Sequence, residues 1–186
     1  MKHALFLCIA VTLLYSCSNS GTESASSDST QVSAAEEKKT EPAIVYPYTA
    51  GYSSDFKLGD PQHAKMLLDA WKHWDEGKVM NMRSFFADSV EMIWADGTHF
   101  KKNTADSLLR FANGYRSTLK AVTSKVHGWI PLHSNDKNED WVMIWGTEIR
   151  TSMKNKVDSS DLHEIWRVTN GKFDLVFQYE QKPPKN

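Results

Sequence analysis

The chain has 186 residues and a formal charge of -1, with 22 basic and 23 acidic side chains. Near-neutrality argues against nucleic acid, whose binders usually carry a basic stripe, and no nucleic-acid partner is expected. The 2 cysteines, Cys8 and Cys17, both lie in the first 17 residues, so no thiolate metal site or disulfide framework can organise the fold, which must rest on apolar burial.

Met1-Lys2-His3 is a short basic region, and Ala4 to Leu14 is an apolar run of signal-peptide length, too short to span a bilayer. Leu14-Tyr15-Ser16-Cys17 then resembles a bacterial lipoprotein signal, with a small residue before the cysteine. Residues 1–16 are therefore expected to be a signal peptide. Cys17 is expected to carry the lipid that holds the protein to a cell-envelope membrane, most naturally the outer one; the alternative is a secretory signal cut near Ser16 or Ser20. Residues 17–45 are Ser, Thr, Ala, Glu and Lys with few large apolar side chains, a composition that does not offset the entropy of ordering. They read as a disordered tether. Residues 46–186 are the size of one domain.

Asp60-Pro61 starts a helix, with an N-cap carboxylate before the residue best tolerated at the first helical position. It runs through Leu67, Trp71 and Trp74 at helical spacing and stops at Gly77. A short second helix is expected over 79–87. Val90, Met92 and Trp94 alternate as a strand ending at Asp96-Gly97, and a helix capped by Asn103 or Thr104 runs to Tyr115. Three long strand-like segments follow, at about 119–133, 141–153 and 162–169.

Asn170-Gly171 is the strongest short hairpin signal, because a type I′ turn needs positive φ at both central residues. A two-residue loop pairs Thr169 with Lys172, which sets Trp166 against Leu175, Glu164 against Phe177 and Leu162 against Tyr179. One face is then apolar except for Glu164. His163, Arg167, Gln178 and Glu180 fall on the other face. Helices followed by a run of antiparallel strands give an α+β fold, with the helices packed over one face of a curved antiparallel sheet and a ligand site in the space enclosed.

Phe85-Phe86-Ala87-Asp88-Ser89-Val90, the strand to Asp96-Gly97-Thr98, and Glu164-Ile165-Trp166-Arg167-Val168-Thr169-Asn170-Gly171-Lys172-Phe173 together resemble the SnoaL-like branch of the nuclear-transport-factor-2-like superfamily. The resemblance covers about 61–179, and it extends to small exported or lipoprotein members of Bacteroidetes-type bacteria. It implies a conical α+β barrel with a deep pocket, often dimerised through the outer face of its sheet. Relatives include ketosteroid isomerase, limonene epoxide hydrolase, scytalone dehydratase and polyketide cyclases, together with members that have no catalysis. An acidic residue at Glu164 and an arginine at Arg167 match that branch. Its later acidic-His-Trp-acidic stretch falls on Leu175-Val176-Phe177-Gln178, where the polar members are missing.

Glu164, set among aromatic residues, is either a general base or ligand acceptor whose pKa the apolar wall raises, or a structural carboxylate paired with an arginine or a tyrosine hydroxyl. Glu148 is the second candidate, on the same face only if the loop near Asn155 has the matching register. Asp96 and His99, beside the turn, are candidates to help Glu164 move a proton. Trp94, Trp166, Phe177 and Tyr179 are expected as pocket walls, and the remaining tryptophans of the strands chiefly as core. The histidines lack metal-ligand spacing, and neither a metal nor a cofactor is expected. The expected function is binding of a small, largely apolar molecule. A cofactor-independent isomerase, dehydratase or cyclase and a protein assembly module, including a homodimer, are the alternatives.

Overall fold

The structure, a computed structural model, describes residues 44–182. The expected signal peptide, the lipidated Cys17 and nearly all of the tether lie outside the described residues.

Helix α1 (Pro61–Asp75) begins where the Asp60 side chain accepts the Gln62 amide at 2.8 Å. It ends at Gly77, whose φ of 69° lets the amides of Gly77 and Lys78 turn back onto the carbonyls of Trp74 and His73. Only a residue without Cβ adopts that left-handed cap without penalty. A 3-10 helix (Val79–Phe85) occupies the place of the expected second helix, followed by strand β2 (Phe86–Ile93). Helix α2 (Ala105–Arg116) is capped by Thr104, whose hydroxyl accepts the Ser107 amide.

Strands β4 (Leu119–Ser134), β5 (Glu139–Ser152), β6 (Val157–Thr169) and β7 (Lys172–Gln181) are the expected meander. Two short strands escape sequence patterning: β1 (Phe56–Leu58), which pairs with β4, and β3 (His99–Thr104), which pairs with β2. They form the two edges of one seven-stranded sheet in the order β1-β4-β5-β6-β7-β2-β3. The sheet is mixed rather than wholly antiparallel, because β2 runs parallel to β7. The long chain between those two strands supplies the crossover that parallel pairing requires.

Along β5 and β6 the even-numbered side chains face the helices and the odd-numbered ones face outward. Val142, Ile144, Leu162, Trp166 and Val168 thus meet Leu67, Trp71, Leu108 and Leu109 in the core. Trp145, expected mainly as core, is instead half-exposed on the outer side because its position is odd; Trp129, expected there too, is half-exposed although a bulge sets it opposite the inward-facing Ile144. That bulge, at His127 in β4, coincides with a bend: Gly146 lies opposite Val126, where a Cβ would come within 2.5 Å of the Lys125 carbonyl oxygen.

Arg116 ties the helices together. Its buried guanidinium donates to the carbonyls of Trp74, Asp75 and Leu119 at 2.8, 2.8 and 3.2 Å, satisfying the open end of α1. Asp75 in turn accepts both the amide and the hydroxyl of Ser124, which fixes α1 to β4.

Candidate functional site

The site is set by a single extra residue in β7. Thr169 pairs with Lys172 and Val168 with Phe173, as the Asn-Gly turn dictates, but Arg167 then pairs with Leu175. Asp174 is left out of the ladder, and its carboxylate takes the Arg167 guanidinium in a bidentate pair at 3.0 and 2.9 Å on the outer face. Beyond this bulge every side chain of β7 changes sides. Glu164 therefore stands opposite Gln178 rather than Phe177, and Leu162 opposite Glu180 rather than Tyr179. Phe177 and Tyr179, expected as pocket walls, lie on the outer face; Tyr179 is exposed beside His163. Gln178 and Glu180 take their places inside.

Glu164 is buried to 5% exposure, and its partners are neither arginine nor tyrosine. Its Oε2 accepts the indole N–H of Trp71 at 2.8 Å and of Trp166 at 3.0 Å, and its Oε1 accepts the Gln178 amide at 2.8 Å. Burial away from water pushes its pKa up, outweighing the three neutral donors that favour the anion. Glu148 shares this face, because the β5–β6 loop brings Thr151 opposite Val157 and keeps even positions inward on both strands. It is equally buried. Its Oε2 accepts the Trp74 indole N–H at 2.5 Å, and its Oε1 lies 3.4 Å from the Arg150 guanidinium. Burial raises its pKa as well; Trp74 and Arg150 oppose the shift and the charge of Glu164 adds to it.

Together α1, α2 and the inner face of the sheet enclose a cavity of about 370 Å³, within the size range of small-molecule sites. Its lining combines Met82, Phe86, Met92, Trp94, Leu108 and Leu109 with Glu148, Arg150, Glu164, Gln178 and Glu180. Phe111 and Tyr115 of α2 and the turn 95–98 line it while themselves exposed, which puts the opening between that helix face and the turn. Trp94 packs on Phe111 with ring centres 5.3 Å apart, and Trp74 stacks on Tyr115 at 6.2 Å.

Of the expected site residues, Glu164, Glu148, Trp94 and Trp166 line this cavity and Asp96 reaches its rim. Asp96 accepts the Thr98 amide at 2.8 Å, and that bond holds its pKa below the usual carboxylate value, as befits a turn residue. His99 is outside the lining. It bonds Glu91 at 2.6 Å across β2 and β3 and makes no hydrogen bond to Asp96, so the structure does not bring His99, Asp96 and Glu164 together. Trp71, Trp74, Arg150 and Gln178 were not expected here. Trp71 and Trp74, three residues apart on one helical face, were legible as core, yet two buried indoles also need two acceptors, and that demand was the available signal. Among the described residues no group of three or more acidic, histidine or cysteine side chains is placed to hold a metal.

No family model matches the chain, and no curated protein matches it at a significant level. Solved structures do. An NTF2-like protein of unknown function from Exiguobacterium sp. 255-15 superposes with a TM-score of 0.52 at 16% identity, over 63% of this chain and 99% of that one. An LEH-like epoxide hydrolase from M. tuberculosis gives 0.53 at 8% identity over 65% and 84% of the two chains. A hypothetical protein of ketosteroid isomerase-like fold from Catenulispora acidiphila gives 0.51 at 9% identity, over 62% and 84%. The curved α+β fold of this chain is thus the nuclear-transport-factor-2-like fold. At these identities the likeness extends to the fold alone, and function has to be argued from the cavity.

Proposed function

We propose that residues 46–186 are a receptor for a small, largely apolar molecule, tethered to the cell envelope through a lipidated Cys17. The observation that carries the receptor is the aromatic-walled cavity of about 370 Å³, open beside α2 and lined by Glu164 and its three donors. The anchor rests on the Leu14-Tyr15-Ser16-Cys17 pattern. Every residue of the buried core lies between Ala64 and Val176, so a chain begun at Ser18 keeps the whole domain. Native mass spectrometry of that chain, followed by identification of whatever dissociates, tests the receptor. A retained small apolar molecule is expected; a protein that stays empty when offered a library of such molecules refutes it. For the anchor, a fatty-acid label should enter the wild-type chain and be absent from Cys17→Ser.

Proton transfer by Glu164 is the second reading, favoured by a carboxyl that burial pushes toward neutrality at the wall of a ligand-sized space. Glu164→Gln separates the two. A catalyst loses about 100-fold or more in rate, whereas a receptor keeps binding its ligand with a modest change in affinity.

A further inference from the structure

The cavity lining holds more acidic than basic side chains. It contains the carboxylates of Asp96, Glu148, Glu164 and Glu180 against one guanidinium, that of Arg150. Arg150 is already engaged: it lies 3.4 Å from Glu148 and 3.3 Å from Glu180, and it donates to the Ser160 hydroxyl at 2.6 Å. An anionic ligand would therefore have to compete with the protein's own carboxylates for the one cation in the wall.

Glu164 is the more telling group. Its three partners are an amide and two indoles, so both its oxygens are hydrogen-bonded while its charge has no counterion among them. A buried carboxylate in that condition gains most from a positive charge brought into the same low-dielectric space. Aromatic rings supply the second half of a cation site. Trp71, Trp74 and Trp166 direct their N–H edges to the two glutamates and line the cavity; Tyr115 stacks on one face of Trp74, and an indole face is the electron-rich surface that attracts organic cations.

We propose that the cavity selects an organic cation, an ammonium or quaternary ammonium group carried on an apolar body, with the charge held near Glu148 and Glu164 and the body against Phe86, Met92 and Trp94. This names the ligand class of the receptor and rests on that reading of the cavity. The apolar wall accounts for the body, and the carboxylates and indoles for the charged end. The ion pair of Glu148 with Arg150 sets the order of importance: Glu164, without a cationic partner, contributes more to selection than Glu148.

Isothermal titration of the chain begun at Ser18 with benzyltrimethylammonium, with its uncharged carbon isostere neopentylbenzene, and with benzenesulfonate tests this directly. Benzyltrimethylammonium should bind about tenfold tighter than neopentylbenzene, which the two contributions make reachable, and benzenesulfonate should bind more weakly than either. Glu164→Gln should shrink the ratio of cation to neopentylbenzene affinity, both measured on the same variant, since the charge acts on the cation and not on the neutral isostere. Should that variant fail to fold, the three ligands on the wild-type chain decide the matter alone. Neopentylbenzene binding as well as the cation, or benzenesulfonate binding best, overturns the cation site and leaves the apolar receptor standing. Failure of all three to bind overturns both.

Discussion

Replacing Glu164 with Gln removes one titratable group from the wall of the cavity at nearly constant volume. Burial raises the pKa of Glu164 in the folded chain, so the folded state holds this proton more tightly than the unfolded state does. Below the unfolded value of about 4.3 both states are protonated and the burial penalty is absent. As pH rises from there through the folded pKa, stability is lost, with a slope of at most about 1.4 kcal/mol per pH unit for one proton. Above the folded pKa the loss is complete and constant. Asp88, Asp96, Asp136 and Asp158 are shifted down by hydrogen bonds and act in the opposite sense, so the informative quantity is wild type minus variant. Gln at 164 strands no donor: its oxygen accepts from the two indoles, and the Gln178 amide reverses to accept from its nitrogen. Urea unfolding followed by tryptophan fluorescence from pH 4 to 8 should show the variant gaining on wild type as pH rises. Glu148 adds to the trend, because the charge of Glu164 raises its pKa too. A difference that is flat, or that runs the other way, would falsify this account and mean that Trp71, Trp166 and Gln178 hold Glu164 ionised throughout.

Arg116→Met should cost about 2 kcal/mol in urea unfolding, because it removes the buried guanidinium that donates to the carbonyls of Asp75 and Leu119, while the Trp74 carbonyl keeps the Gly77 amide; a loss under about 1 kcal/mol would show that water replaces it. Gly146→Ala should cost about 2 kcal/mol, since its Cβ meets the Lys125 carbonyl oxygen at 2.5 Å and the Val126 Cα at 3.1 Å, both backbone atoms with little room to move. Gly114→Ala is the control: it lies in α2 with nothing within 4 Å, and it should gain about 0.5–1 kcal/mol from helix propensity. Equal effects at the two glycines in thermal unfolding would refute the close approach of β4 and β5.

Whatever depends on neighbours along the chain is legible before folding is considered. Asp60-Pro61 and Thr104 start the helices, Gly77 ends the first, and Asn170-Gly171 turns the hairpin where expected, because caps and turns are decided by φ, by Cβ and by hydrogen bonds a few residues away. The α+β class followed from the change of hydrophobic period. It also made Glu164 conspicuous, a carboxylate on an otherwise apolar face. Which residues surround Glu164 was decided only in three dimensions. The side-chain period of a strand is two, so the one extra residue at Asp174 exchanged Phe177 and Tyr179 for Gln178 and Glu180, and no local pattern marks that bulge: it is held by Arg167, across the ladder on β6. The register that places Glu148 beside Glu164, the parallel pairing of β2 with β7, and the capture of both glutamates by indoles of α1 join residues 14 to 93 positions apart or whole strands from opposite ends of the domain. Such contacts are fixed by how the sheet bends and where the helix settles on it, and those are properties of the packed domain rather than of any segment.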